Sequence, residues 1–170
     1  MLVPFYLLPL GIVGAYVLKS LWAITFFRCG FTVPVDSEVI SMIEKRVQEW
    51  KSFSFLPTLG HALVEEMTFR VYPVMGAQFL IENVPETGFW FGLAFIMGAQ
   101  LVFGMVHGNW RNIGMQGMSG FIYLGLFIAF GGLDPNTRIV GLFASTAVHT
   151  LWNLNCMYKF NDRFRERFGF

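Results

Sequence analysis

Over residues 1–27 the chain carries one charged side chain, Lys19. A helix needs roughly 20 residues to cross the hydrocarbon core of a bilayer, so this stretch is long enough to span it. Four further apolar stretches follow, at about 53–81, 88–107, 115–133 and 139–158. None alternates with the period of two that a barrel strand requires. In lipid every backbone N–H and C=O must bond internally, so each stretch is expected to be a helix. The pattern predicts an all-α, polytopic membrane bundle of about five transmembrane helices in one integral-membrane domain, 1–170. Composition agrees. Charged residues are 14% of the chain, against roughly 25% in a soluble domain, and mean hydropathy is +0.54.

The segment 37–50 differs. It places Ile40, Ile43, Val47 and Trp50 at helical spacing with charges opposite, and Asp36 or Ser37 can cap it. It is expected to be an amphipathic helix lying in the membrane interface. Residues 1–27 lack a basic leader and a small-x-small cleavage site, so a retained span is expected there. Cys29 and Cys156 form neither a CxxC pair nor a ligand spacing and read as apolar fillers. With a net charge of +1 and no basic stripe, nucleic acid is excluded as a partner.

Five crossings sort the basic residues. Arg28, Lys45, Arg46, Lys51, Arg111, Lys159, Arg163, Arg165 and Arg167 fall on one side, and Arg138 alone on the other. The excess of Lys and Arg marks the cytoplasmic face. The expected topology therefore has the N-terminus outside and a cytoplasmic tail, 159–170.

Ionisable residues inside spans are costly and mark functional sites by default. Lys19 can snorkel or pair with a carboxylate, and no role is assigned to it. The second stretch holds Glu65, Glu66 and Arg70. Glu66 and Arg70, four apart, share a helix face and can pair, which leaves Glu65 about 100° round the helix to meet another element. Two carboxylates with one cation leave one carboxylate without its own counter-ion, a setting that suits a general base. The third stretch ends in Phe103 to His107, one turn apart. The fifth carries His149 and Asn153, also one turn apart, so Asn153 can donate to an oxyanion or orient His149. Glu65 and His149 each lie about 15 Å from the basic side, at ~1.5 Å per residue. A cavity open to the cytoplasm would gather Glu65, Glu66, His107, His149 and Asn153. His61, four residues before Glu65, either joins the edge of that cluster or sits in the interface; the spacing leaves both open.

Taken in order, EExxxR at 65–70, FxxxH at 103–107 and HxxxN at 149–153 resemble the motif set of the CPBP intramembrane endopeptidases. This family comprises the CAAX prenyl proteases, the bacteriocin-processing proteins and the Abi proteins. At this composition the joint chance expectation of the three motifs is below ~10⁻³ before their order is required. The resemblance implies that Glu65 activates water, that Glu66 and Arg70 support it, and that His107 is a second partner of the water or of a metal. It further implies that His149 and Asn153 polarise the scissile carbonyl. The family is described both as metal-dependent and as glutamate-based without metal. Glu65, His107 and His149 are the candidate ligands of a divalent metal such as zinc, and both routes stay open. No HExxH is present, so a zincin arrangement is excluded.

The expected function is an intramembrane endopeptidase. It would hydrolyse a peptide bond of a membrane-associated or lipidated peptide or protein near the cytoplasmic face, with its catalytic helices within about 53–158. The alternative is a non-proteolytic membrane immunity or scaffold protein of the same family. A transporter fits worst, because no inverted repeat is visible. Many relatives are longer and carry more helices. Substrate-binding walls would then be thinner or come from an oligomer, with lipid as the remaining partner.

Overall fold

The computed structural model describes residues 4–29, 55–107 and 113–168. Over the described residues the chain is all-helical, with no strand. The expected interfacial helix 37–50 lies outside the described residues. After a 3₁₀ turn at Phe5–Leu7, α1 runs Leu8–Arg28. It carries Pro9 in its first turn, where proline costs no hydrogen bond. Its hydroxyls are satisfied within the helix: Ser20 donates to the Tyr16 carbonyl at 2.8 Å and Thr25 to that of Leu21 at 2.9 Å. Among the described residues, two helical segments, Phe5–Phe26 and Gly88–Met105, are long and apolar enough to cross a membrane, while Ile113–Ala129 is apolar but shorter.

The second apolar stretch is one helical run in three parts: α2, Phe55–Glu66; a π turn, Met67–Val71; and α3, Tyr72–Asn83. Glu65, Glu66 and Arg70 interrupt its apolar character at mid-length. A tight turn leads to α4, Gly88–Met105. A Cβ at Gly92 would stand 3.0 Å from the Ala77 carbonyl oxygen, so the α3–α4 hairpin closes to backbone contact only because residue 92 is glycine. A second π turn, Ile113–Gly117, opens α5, Met118–Ala129. The last helix, α6, is Arg138–Phe168. The segment expected as a tail from 159 continues this helix as far as Phe168. Residues 142–168 contain neither Gly nor Pro, so nothing in the local sequence stops it.

α5 lies at the centre of the packing. Tyr123, Leu126 and Phe130 pack with Leu8 of α1 and with Ala144 and Val148 of α6. Leu124 and Phe127 pack on Val71, Val74 and Leu142. The end of α1 sets Ala23 and Phe26 on Met115, and Trp22 Nε1 donates to the Gly114 carbonyl at 3.1 Å. The α5–α6 loop turns at Gly131, whose φ of +100° favours glycine. Arg138 fastens it by donating to the Gly132 carbonyl at 3.0 Å and to Gln78 Oε1 at 2.8 Å.

Inside and outside are reversed relative to a protein in water. Lys19, Glu66, Arg70 and Gln100 are fully buried, while Leu10, Trp90 and Ile139 are each more than 60% exposed. Exposed large apolar side chains cover α1, α2, α3 and α4. An apolar surface this continuous marks contact with lipid or another protein.

Candidate functional site

The π turn is where sequence chemistry and site geometry meet. Pro73 has no N–H to offer the Phe69 carbonyl four residues back. Gln100 of α4, itself fully buried, takes that carbonyl instead, with Nε2 donating at 2.8 Å. The turn so held carries Arg70, and π turns of this kind are frequent at functional sites. Arg70 Nε stands 3.3 Å from Glu66 Oε2, with both side chains wholly buried, so the i,i+4 pair forms as the spacing predicts. The guanidinium also lies over the Phe103 ring at 4.2 Å, a cation–π contact strengthened by the absence of water.

Glu66 also reaches across to α6. Its Oε1 lies 2.8 Å from His149 Nδ1. An ionised carboxylate only accepts, so Nδ1 carries the proton and Nε2 is turned the other way. Nε2 stands 3.3 Å from Glu65 Oε2. The other oxygen of Glu65 is 2.8 Å from His61 Nε2, one turn earlier on α2. Four side chains therefore form a chain from surface to core: His61, 70% exposed, then Glu65, 17% exposed, then His149 and Glu66, both buried. Glu65 is the solvent-accessible carboxylate of the pair.

Aromatic rings fix the imidazoles. Tyr123 of α5 stacks on His149 with centroids 4.9 Å apart and planes at 21°. Phe103 presents its ring to His107 at 4.7 Å and to His149 at 6.0 Å. His107 Nδ1 is 2.7 Å from the Phe103 carbonyl oxygen, which only accepts. That nitrogen therefore bears the proton, and Nε2 holds the lone pair. His107 lies within electrostatic range of Glu65 and His149.

The six residues expected at the site are therefore placed unevenly. Glu65, Glu66, Arg70 and His149 form one connected network. His107 joins it through Phe103. Asn153, one turn beyond His149 and half-buried, makes no hydrogen bond among the described residues; the orienting partner of His149 is Glu66. His61 meets Glu65 at the network's edge and is itself 70% exposed. Lys19 departs from both expectations, since it is buried and meets no carboxylate among the described residues. It is fully buried, with its ammonium over the rings of Trp152 at 4.5 Å and Tyr123 at 5.2 Å and 3.4 Å from Gln116 Oε1. Tyr123 and Gln100 carried no signal in the sequence beyond lying in apolar stretches. Pro73 inside a helical run was the one clue that a carbonyl would need an outside donor.

Among the described residues no three His, Cys, Asp or Glu side chains are arranged to hold a metal ion. Comparison with protein-family models, with curated proteins and with solved structures finds no match to this chain.

Proposed function

We propose that this chain is an intramembrane endopeptidase that uses Glu65 as general base, in the manner implied by its resemblance to the CPBP family. In this reading the helices cross the bilayer five times, with the N-terminus outside and the C-terminus in the cytoplasm. The reversed burial of charge and the apolar outer faces of α1 to α4 support this arrangement. The carrying observation is the facing pair Glu65 and His149, 3.3 Å apart and backed by the buried Glu66–Arg70 pair.

The chemistry follows from that pair. Glu65 takes a proton from water as the water oxygen bonds to the scissile carbonyl carbon. The carbonyl π electrons move onto oxygen, giving a tetrahedral oxyanion. The proton passes from Glu65 to His149 Nε2, which faces it, and from there to the leaving amine as the C–N bond breaks. Glu66 keeps His149 in the tautomer with Nδ1 protonated, so Nε2 is the atom that relays. Asn153 is proposed to polarise the carbonyl from the rim, and His107 Nε2 to accept a hydrogen bond from the attacking water.

One observation favours the second reading, a non-proteolytic immunity or scaffold protein. Both oxygens of Glu65 and both ring nitrogens of His149 already face partners, as they would in a packing lock. The experiment that separates the two uses purified protein in liposomes with internally quenched peptides, one bearing a farnesylated cysteine and one unlipidated. Products are identified by mass. Cleavage by the native chain that is lost in Glu65→Gln supports the protease. No cleavage by a folded native chain, or equal cleavage by Glu65→Gln, overturns it.

A further inference from the structure

The hydrogen bond from Gln100 to the π turn bears on the site itself. We propose that Gln100 is a positioning residue: by holding the Phe69 carbonyl that Pro73 leaves without a donor, it sets the register of the Met67–Val71 turn and so the place of Arg70 beneath Glu66 and His149. The inference rests on reading Glu65, Glu66 and His149 as the working groups.

Three independent features converge on Gln100. Its Nε2 donates to the Phe69 carbonyl at 2.8 Å and stands 3.5 Å from that of Ile96 in its own helix, so the side chain ties α4 to the turn. Its Oε1 lies 2.7 Å from where a Cβ on Gly120 would stand, and Arg70 Nη2 is 3.5 Å from the same point. Glycine at 120 thus lets α5 close over the amide and the guanidinium together. Its backbone carbonyl faces Gly117, at 3.2 Å from the corresponding Cβ position, so the second π turn packs on the same residue. Burying a glutamine is costly unless its polar atoms find partners. Here the donor is used on the Phe69 carbonyl, within the π turn.

The consequence runs along a short path. If the Phe69 carbonyl loses the Gln100 amide, the turn is free to shift its register. Each backbone step of such a shift rotates the side chains about the helix axis, by about 100° per residue. Arg70 would swing away from Glu66 Oε2, and Glu66 would lose the cation that keeps its other oxygen on His149 Nδ1. Gln100 touches neither substrate nor the reacting atoms. It acts through the turn.

The test reads the His149 ring. The chain contains three histidines, so a protein labelled with ¹⁵N only at histidine gives few ring signals, and the His149 Nδ1–H signal is identified by its loss in His149→Gln. Gln100→Met keeps the side-chain length and removes the donor. Gly120→Ala places a methyl group against Gln100 Oε1. Val74→Ala trims a fully buried core side chain on α3 and serves as the control for plain loss of packing. Circular dichroism establishes that each variant is folded.

The His149 signal is expected to move or broaden in Gln100→Met and to stay in place in Val74→Ala. If the native chain cleaves the quenched peptides, kcat in Gln100→Met falls roughly tenfold with KM little changed, the signature of misplaced catalytic groups. A folded Gln100→Met protein with the His149 signal unmoved overturns the proposal, and should that variant not fold, Gly120→Ala decides by the same criterion. The ring signal is read without substrate. A native chain that cleaves nothing therefore removes the protease reading while leaving this test intact.

Discussion

His149 Nδ1 meets Glu66 Oε1 at 2.8 Å across a sequence separation of 83 residues. This contact joins α2 to α6 and sets the tautomer of the imidazole. It turns Nε2 toward Glu65, the partly accessible carboxylate, and so gives two adjacent glutamates different surroundings. Glu66 is buried and paired with Arg70. Glu65 is partly accessible and faces His149 Nε2.

That division predicts opposite outcomes for the two amide substitutions. Glu65→Gln keeps shape and is expected to leave expression and thermal midpoint close to native. Peptide cleavage should fall by about 10²–10⁴-fold, the usual contribution of a general base. The measurement is turnover of the quenched peptide beside a melting curve in detergent. A melting loss as large as the activity loss would show that Glu65 is structural after all.

Glu66→Gln and Arg70→Met each strand a buried charge. Breaking a wholly buried ion pair costs about 3–5 kcal/mol, so each single variant should be strongly destabilised. The double variant removes both charges and should regain part of that loss. A double-mutant cycle of unfolding free energies measures the coupling. If the two losses simply add, the pair seen at 3.3 Å contributes no coupling.

Lys19 gives a sharper contrast. Its ammonium has aromatic faces and one amide oxygen but no ion pair among the described residues. Cation–π contacts in a dry site are worth about 2 kcal/mol, less than the several kcal/mol that burial of an ion costs. Lys19→Met, close in volume and uncharged, is therefore expected to match or exceed native stability. A melting midpoint well below native would show that the charge is needed in the folded chain.

If Glu65 activates the water without a metal, little response to chelators is expected. Cleavage measured after dialysis against 1,10-phenanthroline should stay within about twofold, a change worth less than 0.5 kcal/mol of barrier. Loss of activity with recovery on adding zinc would instead assign the reaction to a metal held by these residues.

Much of the helical layout was legible in the chain. Apolar runs with one or no internal charge can only be helices if they face lipid, and α1 and α4 lie where those runs lie. The Glu66–Arg70 pair was legible too, because i,i+4 spacing is a local geometric fact. Local pattern also had its limits. It marked a tail from 159 by the fall in hydropathy but did not show that α6 continues through that tail to Phe168.

By itself, the sequence determined an all-helical chain with apolar outer faces and a few ionisable groups at helical spacing, since hydropathy and periodicity act within one segment. Only the tertiary structure decided which of those groups meet. It set Glu66 rather than Asn153 on His149, drew His61 into the edge of the network, enclosed Lys19 in aromatic rings and supplied Gln100 to the carbonyl that Pro73 frees. Each of these contacts joins helices distant in sequence or depends on a side-chain direction, and both are fixed by packing and not by spacing along the chain.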